Sequence, residues 1–104
     1  MTKTPDTNDW RTPSVEQLAD TLVSIQDRES MLAFLRDVCS HNELSTLAQR
    51  LDVARLVDAG IPYAEIARRL GASTATVTRV AQWVRHGEGG YRSVLDAEAE
   101  VPGA

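Results

Sequence analysis

Residues 63–82 leave few folds open to this chain, because small and apolar side chains fall where two crossed short helices need them. Ile66 and Leu70 are four residues apart, so they share one face of a first helix. Val77 and Val80 are three residues apart and would face back onto that pair from a second helix. The window therefore predicts a helical hairpin with a packed apolar seam.

The segment between these apolar pairs has the residues that a tight turn requires. Ala67 is small, which lets the second helix cross close to the first. Gly71 stands where the chain must turn, a place for a left-handed conformation that residues with a Cβ resist. Ser73 is placed to cap the second helix by accepting a backbone N–H. Together these positions predict a helix-turn-helix over residues 63–82.

The outer face of the second helix distinguishes a DNA-binding motif from an ordinary helical hairpin in a protein core. Its side chains are short or hydrogen-bonding and none is acidic: Thr74, Ala75, Thr78, Arg79 and Gln82. A merely solvated helix would be expected to mix Glu and Lys there. This face favours a DNA-reading helix over residues 73–85, and the plain hairpin is the alternative.

A helix over residues 73–85 is slim enough to enter the major groove of double-stranded DNA. We expect DNA contacts from its start and outer face, namely from Ser73, Thr74, Ala75, Thr78, Arg79 and Gln82. The two longest of these, Arg79 and Gln82, could reach a guanine edge or a phosphate. Phosphate contacts, which give affinity and register without sequence information, are expected from Arg68, Arg69 and Arg85.

The rest of the chain also predicts helices. Apolar residues recur at three- and four-residue steps, and no stretch shows the alternation of a strand. We place helix starts at Ser14, Ser30 and Ser40, the last forming a capping box with Glu43, and a helix end at Gly60. The fold class is therefore all-α, with about six helices.

The chain is long enough for one compact domain and too short for two, so one shared core is expected. We expect residues 1–13 to form a flexible arm and residues 97–104 a flexible tail, because both have little to bury. The helical domain should then span residues 14–96. A glycine-rich hinge at 87–90 would precede a last short helix at 91–96.

The helices predicted over residues 14–58 carry wide apolar faces, yet a chain of 104 residues offers little core to cover them. Dimerisation is the simplest solution, and a surface groove for a partner helix is the alternative. In a homodimer both reading helices must meet the same face of a duplex. The half-sites should then lie about 34 Å apart, or a multiple of it.

The overall charge balance argues against a nucleic-acid partner, because the net charge is −4 and phosphate binding depends on Lys and Arg. The distribution of charge along the chain changes that conclusion. Residues 1–60 carry six basic and ten acidic side chains, residues 61–92 carry five and two, and residues 93–104 carry none and three. The only net-positive stretch is the one that holds the helix-turn-helix.

Other function classes find little support in the sequence. Cys39 is the single cysteine, and with only His41 and His86 it cannot form a metal-ligand set at the usual spacings. No nucleophile triad, phosphate-binding glycine loop or carboxylate pair can be assembled, so we expect neither an enzyme nor a cofactor. No apolar run reaches the length of a membrane span or a signal peptide, and we expect a cytoplasmic protein without membrane contact.

Four segments of the chain resemble the Trp repressor superfamily, in particular its smaller Trp-repressor-like YerC/YecD group. They are FLRDVCS at 34–40, LAQRL at 47–51, GASTATVTRV at 71–80 and GGYRSVLD at 89–96, of which the third is the most specific. The resemblance implies an intertwined all-helical homodimer in which the N-terminal helices interlock and each helix-turn-helix projects as a reading head. It also implies a transcriptional regulator, which we expect to be a repressor.

The resemblance bears on small-molecule binding as well. The Trp repressor itself binds tryptophan with a pair of arginines and nearby threonines, and Arg50, Arg79, Thr76 and Ser40 take corresponding places here. Val80, however, stands where the tryptophan-binding protein has glycine, so a branched side chain would occupy the place of the indole ring. We therefore expect no tryptophan binding, and interpret Arg50 as a partner for Asp or Glu or as a phosphate contact. Binding of a different small effector is an alternative that the sequence leaves open.

Two functions from different classes are consistent with the sequence. The first is a dimeric transcriptional regulator that binds double-stranded DNA. The second is an interaction module whose helix-turn-helix docks on another protein, with the acidic balance of the chain reflecting that role. Steep loss of binding to mixed-sequence DNA with rising salt would separate the first from the second.

Overall fold

The computed structural model describes residues 9–100, and these residues form α-helices and no strand. The helices are α1 (Pro13–Ser24), α2 (Arg28–Val38), α3 (His41–Asp58), α4 (Tyr63–Leu70), α5 (Thr74–His86) and α6 (Gly90–Ala99). The predicted all-α class with about six helices is confirmed. Within this part of the chain, no helix is both long and apolar enough to cross a membrane.

The chain divides into two compact units, Met1–Ser40 and His41–Ala104. The buried core lies in the second unit and consists of Val53, Ala54, Val57, Ile66, Val77, Val80, Ala81 and Leu95. Neither α1 nor α2 contributes a buried residue. The buried residues described therefore all belong to the second unit, in which α4, α5 and α6 pack against α3. The expectation of one core shared by all helices stays a prediction.

Both helices of the first unit begin earlier than predicted. The cap of α1 is Thr12 rather than Ser14, and its hydroxyl accepts a backbone N–H at 3.1 Å. Pro13 explains the difference, since its fixed φ suits the first helical position and places the cap directly before it. The cap of α2 is Asp27 rather than Ser30, whose own N–H donates to the Asp27 carboxylate at 2.9 Å.

In the second unit, α3 begins directly after Ser40, as predicted. It ends at Asp58, and the chain leaves it through Gly60 with a positive φ of 82°. The N–H of the next residue, Ile61, donates back to the Leu56 carbonyl at 3.1 Å, which closes the helix end. The predicted stop at Gly60 is thus confirmed.

The last helix is longer than predicted. Helix α6 covers Gly90–Ala99, whereas we expected residues 91–96 and a flexible tail from residue 97. Two ion pairs to α3 hold it along its length: Arg92 donates to Asp58 at 2.8 Å, and Arg55 donates to Glu98 at 2.8 Å. The second pair engages the part of α6 beyond residue 96, so residues 97–99 are helical. Of the predicted arm and tail, residues 1–8 and 101–104 lie outside the described residues.

Candidate nucleic-acid interface

Helices α4 and α5 form the helix-turn-helix predicted from residues 63–82. Ile66 and Val77 are completely buried, and Val80 is 4% exposed, so the apolar seam between the two helices is closed. Leu70 and Ala67 pack against this core and are half-buried. The inner faces of both helices are thereby fixed, and the opposite face of α5 is turned away from this core.

The turn between the helices has the predicted geometry. Gly71 ends α4 in the left-handed conformation with φ 65°. The N–H of Ala72 donates to the carbonyl of Ala67 at 3.1 Å, and Gln49 of α3 donates its side-chain amide to the carbonyl of Leu70 at 3.4 Å. Two carbonyls of the last turn of α4 therefore have partners, and α3 contributes to the position of the turn.

Ser73 begins α5 with the cap that was predicted. Its hydroxyl oxygen accepts the backbone N–H of Thr76 at 3.1 Å and donates its own proton to the Thr76 hydroxyl at 3.0 Å. The hydroxyl is thus engaged twice within its own helix. Ser73 therefore positions the start of α5. Its hydroxyl has less hydrogen-bonding capacity left for a base edge than a serine without these partners would have.

The outer face of α5 is open to solvent. The residues predicted to contact DNA from this helix are all exposed: Ser73, Thr74, Ala75, Thr78, Arg79 and Gln82. The first turn of α5 contains no acidic residue. Arg79 forms no ion pair with any of residues 9–100, so its guanidinium is available to a ligand.

The three arginines predicted to hold phosphates are exposed but differ in their surroundings. Arg68 and Arg69 each form an ion pair with Glu65, at 3.1 and 3.3 Å. Arg85 lies with its guanidinium carbon 5.8 Å from the centre of the Tyr63 ring. Glu65 was not among the residues predicted for this surface, although its spacing of three and four residues from the two arginines is the usual signal for such pairs.

The residues considered for a small effector are only partly brought together. Arg50 and Arg79 line one recess of about 370 Å³ with Val80, Trp83 and Tyr91. The buried Val80 side chain forms part of its wall.

The other two effector candidates are not part of this recess. Thr76 is half-buried, is not among the lining residues, and its hydroxyl accepts a hydrogen bond from Ser73. Ser40 is exposed and belongs to the first unit. The proposed effector set of Arg50, Thr76 and Ser40 thus remains a prediction, with only Arg50 seen at a recess.

A second recess of about 460 Å³ lies beside the first and is almost wholly apolar. Leu51, Trp83, Tyr91 and Val94 line it, together with the loop before α6. Trp83 is 56% exposed here, which is unusual for so large an apolar side chain.

Across residues 9–100, no three His, Cys, Asp or Glu side chains come together as metal ligands would.

The fold and this surface define an all-α helix-turn-helix protein of the DNA-binding regulator type. The model of a family described as Trp repressor protein matches residues 13–99, which is most of the chain. The chain therefore belongs to the Trp repressor protein family, and the resemblance found in its sequence is confirmed.

Individual relatives agree with this assignment. The chain is 39% identical over 91 residues to the uncharacterized protein YerC of Bacillus subtilis (strain 168), covering 88% of each chain. The crystal structure of a candidate Trp repressor from Staphylococcus aureus superimposes with a TM-score of 0.82 at 33% identity, covering 92% of this chain and 96% of that one. A TrpR-like protein from Eubacterium eligens ATCC 27750 gives 0.82 at 36% identity, with 90% and 97% covered. These values confirm the Trp-repressor-like fold.

Proposed function

We propose that this protein binds double-stranded DNA sequence-specifically as a homodimer and regulates transcription as a repressor, with α5 in the major groove. The observation that carries the proposal is the two-sided character of α5. Its inner face is buried through Val77, Val80 and Ala81, while the opposite face is exposed, polar and free of acidic residues. Such a helix can approach base edges without a like-charge clash with phosphates.

Within this proposal, the exposed side chains of α5 have distinct roles. The methyl group of a threonine suits the thymine methyl and its hydroxyl suits a base edge or a bound water, which applies to Thr74 and Thr78. Arg79 has the length and the free guanidinium for a bidentate contact with guanine. Arg68, Arg69 and Arg85 would contact phosphates and set the register of the protein on the duplex.

Arg79→Ala tests the proposed reading face. Since a bidentate contact with one base distinguishes it from others by about 1–3 kcal/mol, we expect the variant to lose about ten- to a hundredfold in affinity for a selected site. Sites would first be selected from a random duplex pool with the wild-type protein, and affinities then measured by fluorescence anisotropy. Arg68→Ala should instead weaken binding to selected and mixed-sequence DNA alike.

Arg28→Ala is the matched control for both variants. Its side chain is 83% exposed and lies on α2, outside the helix-turn-helix, and its removal changes the net charge equally. We expect it to change DNA affinity by less than about twofold, which is the ordinary size of a distant surface effect. Equal affinities of wild type and Arg79→Ala for the selected site would contradict the proposed reading face.

We further propose that tryptophan is not the effector. Val80 is buried in the helix-turn-helix seam and lines the recess between Arg50 and Arg79, so an indole ring would have to displace part of the core. Isothermal titration of L-tryptophan into the protein should show no binding up to about 1 mM. Saturable binding at micromolar tryptophan would overturn this part of the proposal.

A protein-interaction module is the second candidate function, and the exposed apolar recess around Trp83 is the observation that favours it. The two candidates differ in their response to salt. Counterion release predicts that DNA affinity falls steeply with rising salt, whereas apolar docking is little affected.

We propose no enzymatic activity, and we place the protein in the cytoplasm, where a transcriptional regulator reaches DNA.

A further inference from the structure

Glu65 is the acidic residue of the first turn of α4 and lies in contact with two of the proposed phosphate-binding arginines. Its Oε1 atom accepts from Nη2 of Arg68 at 3.1 Å and lies 3.3 Å from Nη2 of Arg69. One carboxylate oxygen is thus shared by two guanidinium groups. All three side chains are accessible, with 37% of Glu65, 73% of Arg68 and 45% of Arg69 exposed to solvent.

This arrangement matters because a carboxylate oxygen and a phosphate oxygen are equivalent acceptors for a guanidinium group. A DNA phosphate that binds Arg68 or Arg69 must either displace the Glu65 carboxylate or accept the repulsion of a negative charge beside it. The charge that these three residues offer to DNA is +1 instead of +2. Arg79, which is proposed to read bases, has no such competitor among residues 9–100.

We infer that Glu65 lowers the affinity for DNA of any sequence by competing with phosphate for Arg68 and Arg69. The inference rests on the proposed function. Its consequence is that phosphate contacts alone bind weakly, so a stable complex depends on the base contacts of α5. Because the same phosphate contacts are expected on selected and mixed-sequence DNA, Glu65 lowers both affinities by a similar factor.

The test is a comparison of Glu65→Gln with Glu88→Gln in binding to a fluorescent mixed-sequence duplex. Glu88 is exposed, lies in the same net-positive stretch and forms no ion pair with any described residue, so both variants gain one unit of charge. Anisotropy titrations would cover salt concentrations from about 50 to 200 mM. We expect Glu65→Gln to bind about three- to tenfold more tightly at the low end, with a salt slope steeper by about 1. Glu88→Gln should change affinity by less than about twofold.

A double-mutant cycle with Arg68→Ala shows whether Glu65 acts through its arginine partners. We expect Arg68→Ala to cost more affinity in the Glu65→Gln background than in the wild type, because the arginine is then free to bind phosphate. Glutamine preserves the size and helix propensity of the side chain, and thermal unfolding would confirm that each variant is folded.

The outcomes separate the inference from the function on which it rests. Equal tightening by Glu65→Gln and Glu88→Gln, or an additive cycle, would overturn the inference while leaving DNA binding intact, since net charge alone would explain the result. Absence of binding by folded wild type and variants at the lowest salt would overturn the proposed function, and the inference with it.

Discussion

Gly71 is the residue on which the turn of the helix-turn-helix depends. Its φ of 65° lies in the left-handed region, and a Cβ built there meets no atom within 4 Å. The Cβ of an alanine would therefore fit the available space, and its cost would be conformational. Gly90 provides a comparison, because it also has open space around its Cβ position and has no positive φ.

We predict that Gly71→Ala lowers the free energy of unfolding by about 1–2 kcal/mol, the usual cost of the left-handed conformation for a residue with a Cβ. Gly90→Ala should raise it by about 0.5 kcal/mol, because alanine restricts the unfolded chain without strain in the folded one. Urea unfolding followed by circular dichroism measures both. If the two substitutions changed the free energy of unfolding by similar amounts, the left-handed conformation of Gly71 would not be the source of the cost.

Ser73 and Glu65 show how the partners of a residue, and not its type alone, determine its role. Ser73 was expected both to cap α5 and to touch DNA, but its hydroxyl accepts from and donates to Thr76. Glu65 was not predicted to take part, yet it binds two of the arginines that were expected to contact phosphates. In both cases the partners are three or four residues away, so helical spacing in the sequence already contains the signal for them.

At the scale of elements, both apolar contacts and ion pairs join α6 to the rest of the second unit. Leu95 is its only buried residue among those described, and Arg92 and Glu98 connect it to α3. Hydrogen bonds from Arg92 lower the pKa of the Asp58 carboxyl below its ordinary value of 3.8. Those from Arg55 lower the pKa of the Glu98 carboxyl in the same way. The folded state therefore favours both carboxylates in their charged forms.

A carboxyl with a lowered pKa stabilises the fold above its unfolded pKa, and this contribution is lost as the pH falls through the folded value. We predict that Asp58→Asn is less stable than the wild type at about pH 6, and that the difference shrinks as the pH falls through the folded pKa of Asp58, which the hydrogen bonds from Arg92 lower from its ordinary value of 3.8. Urea unfolding at a series of pH values measures the difference.

Asp37→Asn is the control for this series, because Asp37 is exposed and forms no ion pair with the described part of the chain. Its stability relative to the wild type should show no comparable dependence on pH. If Asp58→Asn differed from the wild type by the same amount at both ends of the pH series, the ion pair with Arg92 would not stabilise α6.

The boundaries of the elements show where sequence signals were sufficient. Helices α4 and α5 were predicted closely, since Gly71 and Ser73 mark the turn by local chemistry. The end of α6 was missed by three residues, because the ion pair that engages it joins Arg55 to Glu98, 43 residues away in sequence. A contact of that separation leaves no periodic or capping signal in the local sequence.

At the scale of the whole molecule, the apolar surface of the first unit is the feature that calls for explanation. Five apolar side chains of α1 and α2 are exposed: Val15, Leu18, Val23, Leu32 and Val38. Val23 alone is 82% exposed. Monomeric proteins seldom leave this many apolar side chains uncovered on neighbouring helices. The homodimer proposed above would cover them with a second copy of the chain.

We predict a mass of twice the 11.4 kDa chain by light scattering at micromolar concentration. Leu18→Asp should shift the protein toward the monomer, because it places a charge among the exposed apolar side chains that the proposed homodimer would cover. Gln17→Asp is the matched control on the same helix and should remain dimeric. A wild-type monomer at this concentration would rule out the intertwined dimer.

The sequence by itself determined the helical class and the helix-turn-helix, because these follow from spacing, capping and turn residues that act over three or four positions. The family was indicated separately, by the resemblance of four segments of the chain. Tertiary structure alone decided that the core belongs to the second unit, that α6 extends to Ala99, and that Val80 is buried beside Arg50 and Arg79. The physical reason is the distance along the sequence over which each kind of interaction acts. Helix propensity and caps are local, whereas burial and ion pairs between helices depend on which distant segments the folded chain brings together.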